Sequence, residues 1–222
     1  MLLNIPNILT ADETAQILRD LDAAGPSVWK DGTSSAQGAA ASVKQNQQCD
    51  PQHPAVQAIL EKAQAALLKN GAFVAATQPE SFSRMLINSY GPGMSYGNHL
   101  DASYIRDTRT DISITLFLTP PTAYTGGDLV LASHFCEMAV KGEQGGVFLY
   151  PSTHLHRVQE VTSGQRIAIV GWVKSRIKHP HQREILFDLE QSASDLADDK
   201  SQRDNYMRLL GIKNRLLREW GD

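Results

Sequence analysis

Ile112-Ser-Ile-Thr-Leu-Phe-Leu118 decides the fold. Ile112, Ile114, Leu116 and Leu118 alternate with Ser113, Thr115 and Phe117, a period of two that an extended strand gathers into one apolar face. The pattern predicts a half-buried strand, ended by Pro120-Pro121 because proline cannot donate to a sheet ladder. Working outward, the same reading predicts strands over 82–90, 96–101, 127–132, 137–141, 146–150, 156–161 and 166–174. Gly91-Pro92-Gly93, Gly126-Gly127, Gly142, Gly145-Gly146 and Ser163-Gly164 separate them as turns. Short strands so spaced indicate a mainly β fold, a double-sheet jelly roll or a barrel.

Both flanks abandon that period. Thr10-Ala-Asp-Glu13 is a capping box, and Ile17, Leu18 and Leu21 continue at helical spacing, so a helix to about Asp22 is predicted. A second helix fits Pro51 to Asn70, with Val56, Ile59, Leu60, Ala63 and Leu67 on one face and Gly71 past its end. Residues 30–50 are rich in Gly, Ala, Ser and Gln without an apolar period and read as a long loop with room for a short strand. Such loops are often lids or mobile segments. Beyond Ser175, Leu186, Leu189 and Leu196 predict one helix. Tyr206, Leu209, Leu210, Leu216, Leu217 and Trp220 predict another, broken near Gly211. These C-terminal helices could cover the mouth of the barrel or form a homodimer contact. The expected organisation is an N-terminal helical and loop region, 1–81, a jelly-roll core, 82–175, and a C-terminal helical extension, 176–222.

The 222 residues suit one domain with appendages. With Lys+Arg at 21 against Asp+Glu at 24, the formal charge of −3 gives no footprint for nucleic acid or an anionic membrane. Met1-Leu-Leu-Asn-Ile-Pro6 has neither a basic region nor a long apolar stretch, so no secretory leader is expected. No run approaches the ~18 apolar residues of a membrane helix. Two cysteines, Cys49 and Cys136, are too few for a disulfide framework, and both are expected as free, buried thiols in a reducing cytoplasm.

His99-Leu100-Asp101 carries the chemistry. On a strand, positions i and i+2 share a face, which sets an imidazole beside a carboxylate. A distant histidine would complete a two-His-one-carboxylate facial triad, the geometry of O₂-activating ferrous enzymes, with three positions open for a bidentate 2-oxo acid and O₂. His-x-Asp alone occurs by chance in many proteins, and its distant partners give it weight. His156 lies 55 residues after Asp101, and Arg166 ten residues beyond His156. Thr162-Ser163-Gly164 can form a three-residue hairpin loop with Gly164 left-handed. Val161 would then pair with Gln165 and His156 with Val170. His156 and Arg166 would share one face, four residues or about 13 Å apart. That separation suits a guanidinium gripping the far carboxylate of a five-carbon diacid chelated to the metal. Ala168, between them, leaves room.

Tyr90-Gly-x-Gly-x-x-Tyr96-x-x-His99-x-Asp101, Gly126-Gly-Asp-Leu129, Leu155-His-Arg-Val158 and Gly164-Gln-Arg-Ile-Ala168 resemble the Fe(II)/2-oxoglutarate dioxygenases of the prolyl 4-hydroxylase type. Trp29-x-Asp31-Gly32, Lys44-x-Asn46-x-Gln48 and the segment beginning near Arg183-Glu184 make the chain similar to the bacterial PKHD-type hydroxylases over nearly its whole length. The resemblance implies a double-stranded β-helix, Fe(2+) at His99, Asp101 and His156, and 2-oxoglutarate at Arg166, with Tyr90 and Tyr96 hydrogen-bonding the cosubstrate. It also implies O₂ as cosubstrate, hydroxylation of an amino-acid residue or small metabolite with release of succinate and CO₂, and L-ascorbate as a reductant. Arg166-x-Ala168 stands where many relatives of the wider class carry Arg-x-Ser.

His154 shares the parity of His156 and would replace it through a two-residue slip. The Leu-His-Arg-Val context and the ten-residue step to Arg166 select His156. His134 reads as a pocket-rim histidine, His179 and His181 as solvent-facing, and Arg157 as pointing outward. Tyr90 and Tyr96 are equally readable as core aromatics, Asn88 as orienting cosubstrate or substrate or equally as a strand-edge residue, and Lys44 and Asn46 as either a substrate-facing or a solvated loop. Two further functions fit parts of the pattern. A cupin-like metal-binding or sensor protein shares the jelly roll but has no use for Arg166. A zinc hydrolase would need a general base that the sequence does not supply.

Overall fold

The computed structural model describes residues 1–35, 38–133 and 135–221. The chain opens with β1 (Leu3–Ile5) and α1 (Ala11–Ala23), then β2 (Trp29–Asp31), α2 (Ala39–Ser42), β3 (Lys44–Gln45) and β4 (Gln47–Cys49). Helices α3 (Pro54–Lys69) and α4 (Gly71–Thr77) follow. Next come β5 (Pro79–Tyr90), β6 (Ser95–His99), β7 (Tyr104–Ile105), β8 (Thr108–Arg109), β9 (Ile112–Phe117) and β10 (Tyr124–Gly126). The remaining strands are β11 (Leu129–Ala132), β12 (Glu137–Val140), β13 (Val147–Pro151), β14 (Leu155–Val158), β15 (Val161–Gly164) and β16 (Arg166–Ser175). Helices α5 (Pro180–Ser194) and α6 (Arg203–Trp220) end the chain.

Among the described residues the strands form a seven-stranded sheet, β1-β13-β9-β16-β5-β4-β2, facing a five-stranded one, β12-β11-β14-β6-β3, with two-stranded pairs β10-β15 and β7-β8. The pairings are antiparallel, and the core is a jelly roll with flanking helices. Each segment that alternation predicts contains a strand, because a period of two can bury one face only in extended chain. β9 differs from its expectation in one respect: it is buried along its whole length. Its Ile112, Ile114 and Leu116 join the core against α1, α3 and α4, while Ser113 and Thr115 face the other sheet instead of solvent.

The predicted hairpin over 162–164 is absent. β14 pairs with β11 and β6, β15 with β10, and β16 with β5 and β9. The chain leaves one sheet after β14 and enters the other at β16, so the shortest turn gives way to the jelly-roll crossing. Gly164 is left-handed as expected (φ 74°), but for another reason: a Cβ there would lie 2.0 Å from the Ala123 carbonyl oxygen of β10's approach.

The helical ends follow their signals closely. Thr10 Oγ1 accepts from Glu13 N at 3.2 Å, and Glu13 Oε2 accepts from Thr10 N at 2.8 Å. The second helix begins at Pro54 behind a His53 cap and ends at Lys69. Asn70, expected as its end, also caps α4: its Oδ1 accepts from Phe73 N at 2.9 Å, so Gly71 starts a helix instead of closing one. Among the described residues of 30–50 the chain is not one long loop. β2 and β4 extend the larger sheet, β3 the smaller, and Lys44, Asn46 and Gln48 are buried. α6 runs unbroken through Gly211, whose backbone is helical and uncrowded. Cys49 is buried and free, but Cys136 is exposed, its amide donating to Ser133 Oγ. No helix among the described residues is long and apolar enough to cross a membrane. His134 lies outside the described residues.

Candidate active site

His99 ends β6, Asp101 follows two residues on, just past the strand, and His156 stands on β14 directly across from His99. The pairing of β14 with β6 therefore brings the distant histidine to the His-x-Asp step. One donor atom from each of the three lies within 4.8 Å of the others. The imidazole centroids are 4.1 Å apart, and His156 Nε2 is 3.8 Å from Asp101 Oδ2.

Backbone carbonyls fix both tautomers. His99 Nδ1 lies 2.8 Å from the Gly97 carbonyl and His156 Nδ1 2.9 Å from the His154 carbonyl. A carbonyl only accepts, so each Nδ1 carries the proton and each Nε2 keeps its lone pair for a ligand. Burial and the neighbouring His156 push His99 down to about 4, which keeps it neutral at physiological pH. Tyr96 stacks on His99 with centroids 3.6 Å apart, and Tyr150 meets His156 edge-on at 5.0 Å. His154 thus contributes its carbonyl, and its ring is outside the cluster.

The sequence reading missed a third support. Ser113 Oγ donates to Asp101 Oδ2 at 2.5 Å and lies 2.8 Å from Ser152 Oγ. The available signal was parity: Ser113 and Thr115 occupy the face of β9 opposite its isoleucines.

These groups line a cavity of about 680 Å³ between the sheets, which Tyr90, Asn88 and Arg166 also reach. Arg166, the first residue of β16, is 1 % exposed, yet its Nε and Nη1 lack a hydrogen-bond partner among the described residues. Its guanidinium carbon sits 5.4 Å from the Tyr90 ring centroid and 5.7 Å from that of Phe117. The Tyr124 hydroxyl is a further neighbour. Gly127 makes room for its stem, since a Cβ there would lie 3.2 Å from Arg166 Cδ. A buried cation with open donors and no carboxylate partner is costly unless an anion completes it. Tyr90 is 1 % exposed, and burial raises its hydroxyl to about 12, so it serves as a neutral hydrogen-bonding group. Asn88 is buried with its Oδ1 unpartnered, which is not a strand-edge environment. His179 and His181 are exposed outside the barrel, and Arg157 points outward onto Glu137, both as expected.

Two imidazoles and a carboxylate, converging beside an uncompensated buried guanidinium, fit a divalent metal with a carboxylate-bearing cosubstrate. Residues 85–174 match the family model of the 2OG-Fe(II) oxygenase superfamily. A PKHD-type hydroxylase of Idiomarina loihiensis is 39% identical over 224 residues, and one of Parvibaculum lavamentivorans 40% identical over 224, each covering 100% of both chains. Among solved structures, a Pseudomonas putida prolyl-4-hydroxylase aligns with a TM-score of 0.55 at 20% identity, over 79% of this chain and 92% of that one. A prolyl hydroxylase from Trichoplax adhaerens, in complex with a hypoxia inducible factor oxygen degradation domain peptide, gives 0.58 at 17% identity, over 83% and 86%. At those identities the two structures speak for the shared fold. The superfamily uses Fe(II) and 2-oxoglutarate, and the full-length relatives fix the narrower group: this chain belongs to the PKHD-type hydroxylases, 2-oxoglutarate-dependent non-haem iron dioxygenases.

Proposed function

We propose that His99, Asp101 and His156 hold the ferrous ion and that Arg166 holds the distal carboxylate of 2-oxoglutarate. The substrate, an amino-acid residue or small metabolite, is hydroxylated as the cosubstrate becomes succinate and CO₂. One observation carries this reading: the three donors and the unpartnered Arg166 guanidinium open into the same cavity. When bound, the ion and 2-oxoglutarate supply the oxidising chemistry, dividing the atoms of O₂ between succinate and the substrate.

The chain's own residues contribute positioning. The Gly97 and His154 carbonyls aim the two Nε2 atoms inward, and Ser113 donates to Asp101 Oδ2, the oxygen nearest His156, and so fixes the carboxylate's angle at the site. Arg166 offers a planar fork between the Tyr90 and Phe117 rings. Tyr90, buried, and Tyr96, half-buried and stacked on His99, bound the cosubstrate. The chemistry resides in the 82–175 core, with 1–81 and 176–222 packed around it. Ascorbate acts as an external reductant, and the two free thiols, Cys49 and Cys136, suit a reducing cytoplasm.

Anaerobic addition of Fe(II) and then 2-oxoglutarate should give a visible charge-transfer band. Arg166→Ala should keep metal binding while raising the 2-oxoglutarate concentration for half-formation of that band by on the order of tenfold or more, the loss of a charged hydrogen-bond donor. Wild-type cosubstrate affinity in Arg166→Ala would refute the clamp.

A further inference from the structure

One end of the cavity holds charges that the metal and cosubstrate do not use. Arg84 belongs to a cross-strand row on the cavity side of the larger sheet: Arg84 pairs with Trp172, Trp172 with Ser113, and Ser113 with Tyr150. Two strand spacings, about 10 Å, separate the Arg84 backbone from that of Ser113, so an extended arginine can reach toward the Asp101 that Ser113 holds. Arg166 lies six residues from Trp172 along β16, about 20 Å away. A five-carbon diacid gripped by Arg166 therefore ends well short of Arg84.

Two more cations reach the same end. Lys44 comes from β3 on the opposite sheet, and Arg106 from the turn between β7 and β8. Arg106 depresses Arg84, after burial, and Arg84 depresses Lys44 in the same way, which places Arg84 within electrostatic reach of both. Among the described residues none of the three has a carboxylate within ion-pair distance, and Lys44 Nζ donates to Ser35 Oγ at 2.6 Å. Among the described residues Asp101 is the one carboxylate lining the cavity. In the loaded site it is already spent: the two charges of Fe(II) and the one of Arg166 are matched by Asp101 and the two carboxylates of 2-oxoglutarate. Arg84 and Arg106 are then left without a matching carboxylate on the cavity wall, while Lys44, over the Tyr96 ring, keeps the field of Asp31. Leu100 and Tyr104, 58% and 61% exposed, stand beside them as apolar surface for a carbon chain.

We infer that Lys44, Arg84 and Arg106 form a substrate-anion subsite, and that the hydroxylated substrate carries carboxylate groups. The inference rests on the oxygenase reading of His99, Asp101, His156 and Arg166. The carboxylates can belong to a free small acid or to acidic side chains of a peptide.

The full chain is loaded anaerobically with Fe(II) and saturating 2-oxoglutarate, then titrated by calorimetry at low salt. The probes are tricarballylate against its trimethyl ester, and N-acetyl-tetraglutamate amide against the tetraglutamine analogue. At least one acidic probe should bind about tenfold or more tightly than its uncharged partner, the scale of one charged hydrogen-bonded contact. Preference for tricarballylate identifies a free acid, and preference for tetraglutamate identifies acidic side chains. The preference should vanish in the Arg84→Gln/Arg106→Gln double variant and persist in Arg84→Lys. Equal binding of acidic and uncharged probes, or a preference that survives the double variant, overturns the subsite. The charge-transfer band in the same samples separates the two readings. A wild-type protein without the band removes the metal-site reading, whereas a normal band with no acid preference removes only the substrate class.

Discussion

On the helix side of the seven-stranded sheet, Ile87, Ile169, Leu116 and Val147 stand in one cross-strand row, each 0% exposed. One residue along each strand, on the cavity side, Asn88, Ala168 and Phe117 form the next row. The helix-side face is dry and aliphatic, packed on Ile17, Val56, Leu67 and Phe73 of the helices. The cavity face carries Ser113, Thr115, Asn88 and Arg166, polar groups as well buried as the aliphatics. Stability and chemistry thus share strands and separate by parity. A polar side chain buried on the helix side would be a defect, whereas on the cavity side its open valence is what a ligand uses.

The division can be broken by a substitution that hits the wrong property. The largest expected effect is Leu116→Ala, which removes a fully buried side chain and should destabilise the fold by about 2–5 kcal/mol. Chemical denaturation measures it, and at temperatures where the variant is folded its Fe(II) affinity should match wild type. A weakened metal site in the folded variant would show the two faces to be coupled.

Ser113→Ala, three positions away on the opposite face, should do the reverse. It deletes the 2.5 Å hydrogen bond to Asp101 and removes little apolar volume. Partners that orient a metal ligand are worth about 10–100-fold in metal affinity, so Fe(II) titration should show a loss on that scale with a denaturation midpoint near wild type. Ser113→Thr, which keeps the hydroxyl, should recover part of it. An unchanged affinity would mean that Asp101 is held by its own backbone alone.

What could be read from sequence follows the same line. The strands were legible because a period of two is local and burial enforces it; His156 and Arg166 both face the cavity, but the hairpin from which their shared face was argued is absent. The route by which those two residues meet was not legible. A three-residue turn at 162–164 is a sound local solution, yet a hairpin there would leave β11 and β6 without β14 between them. Ser113 escaped notice because its value depends on Asp101, twelve residues away across a turn. Lys44, Asn46 and Gln48 read as loop because two- and three-residue strands leave too few positions to show a period. α4 was hidden by Asn70 and Gly71, which read as a stop for one helix but also start the next.

The smallest effect gives the finest test of parity, because it compares adjacent residues on β14. His156 faces the cavity and is 4% exposed; Arg157, beside it, points outward and meets both oxygens of Glu137 at 2.6 and 2.7 Å. The pair is bidentate and holds the Glu137 carboxyl below its usual range. Yet Glu137 is open to water, where solvent and salt screen the attraction and the two side chains lose freedom in forming it. Arg157→Ala should therefore leave both the denaturation midpoint and Fe(II) affinity within error of wild type, and added salt should change neither difference. The substitution leaves the His154 carbonyl in place, so His156 keeps its aim. A drop in metal affinity from Arg157→Ala would mean that the outer face of β14 helps set the angle of the inner one, and the separation by parity would then fail at the strand where the site depends on it most.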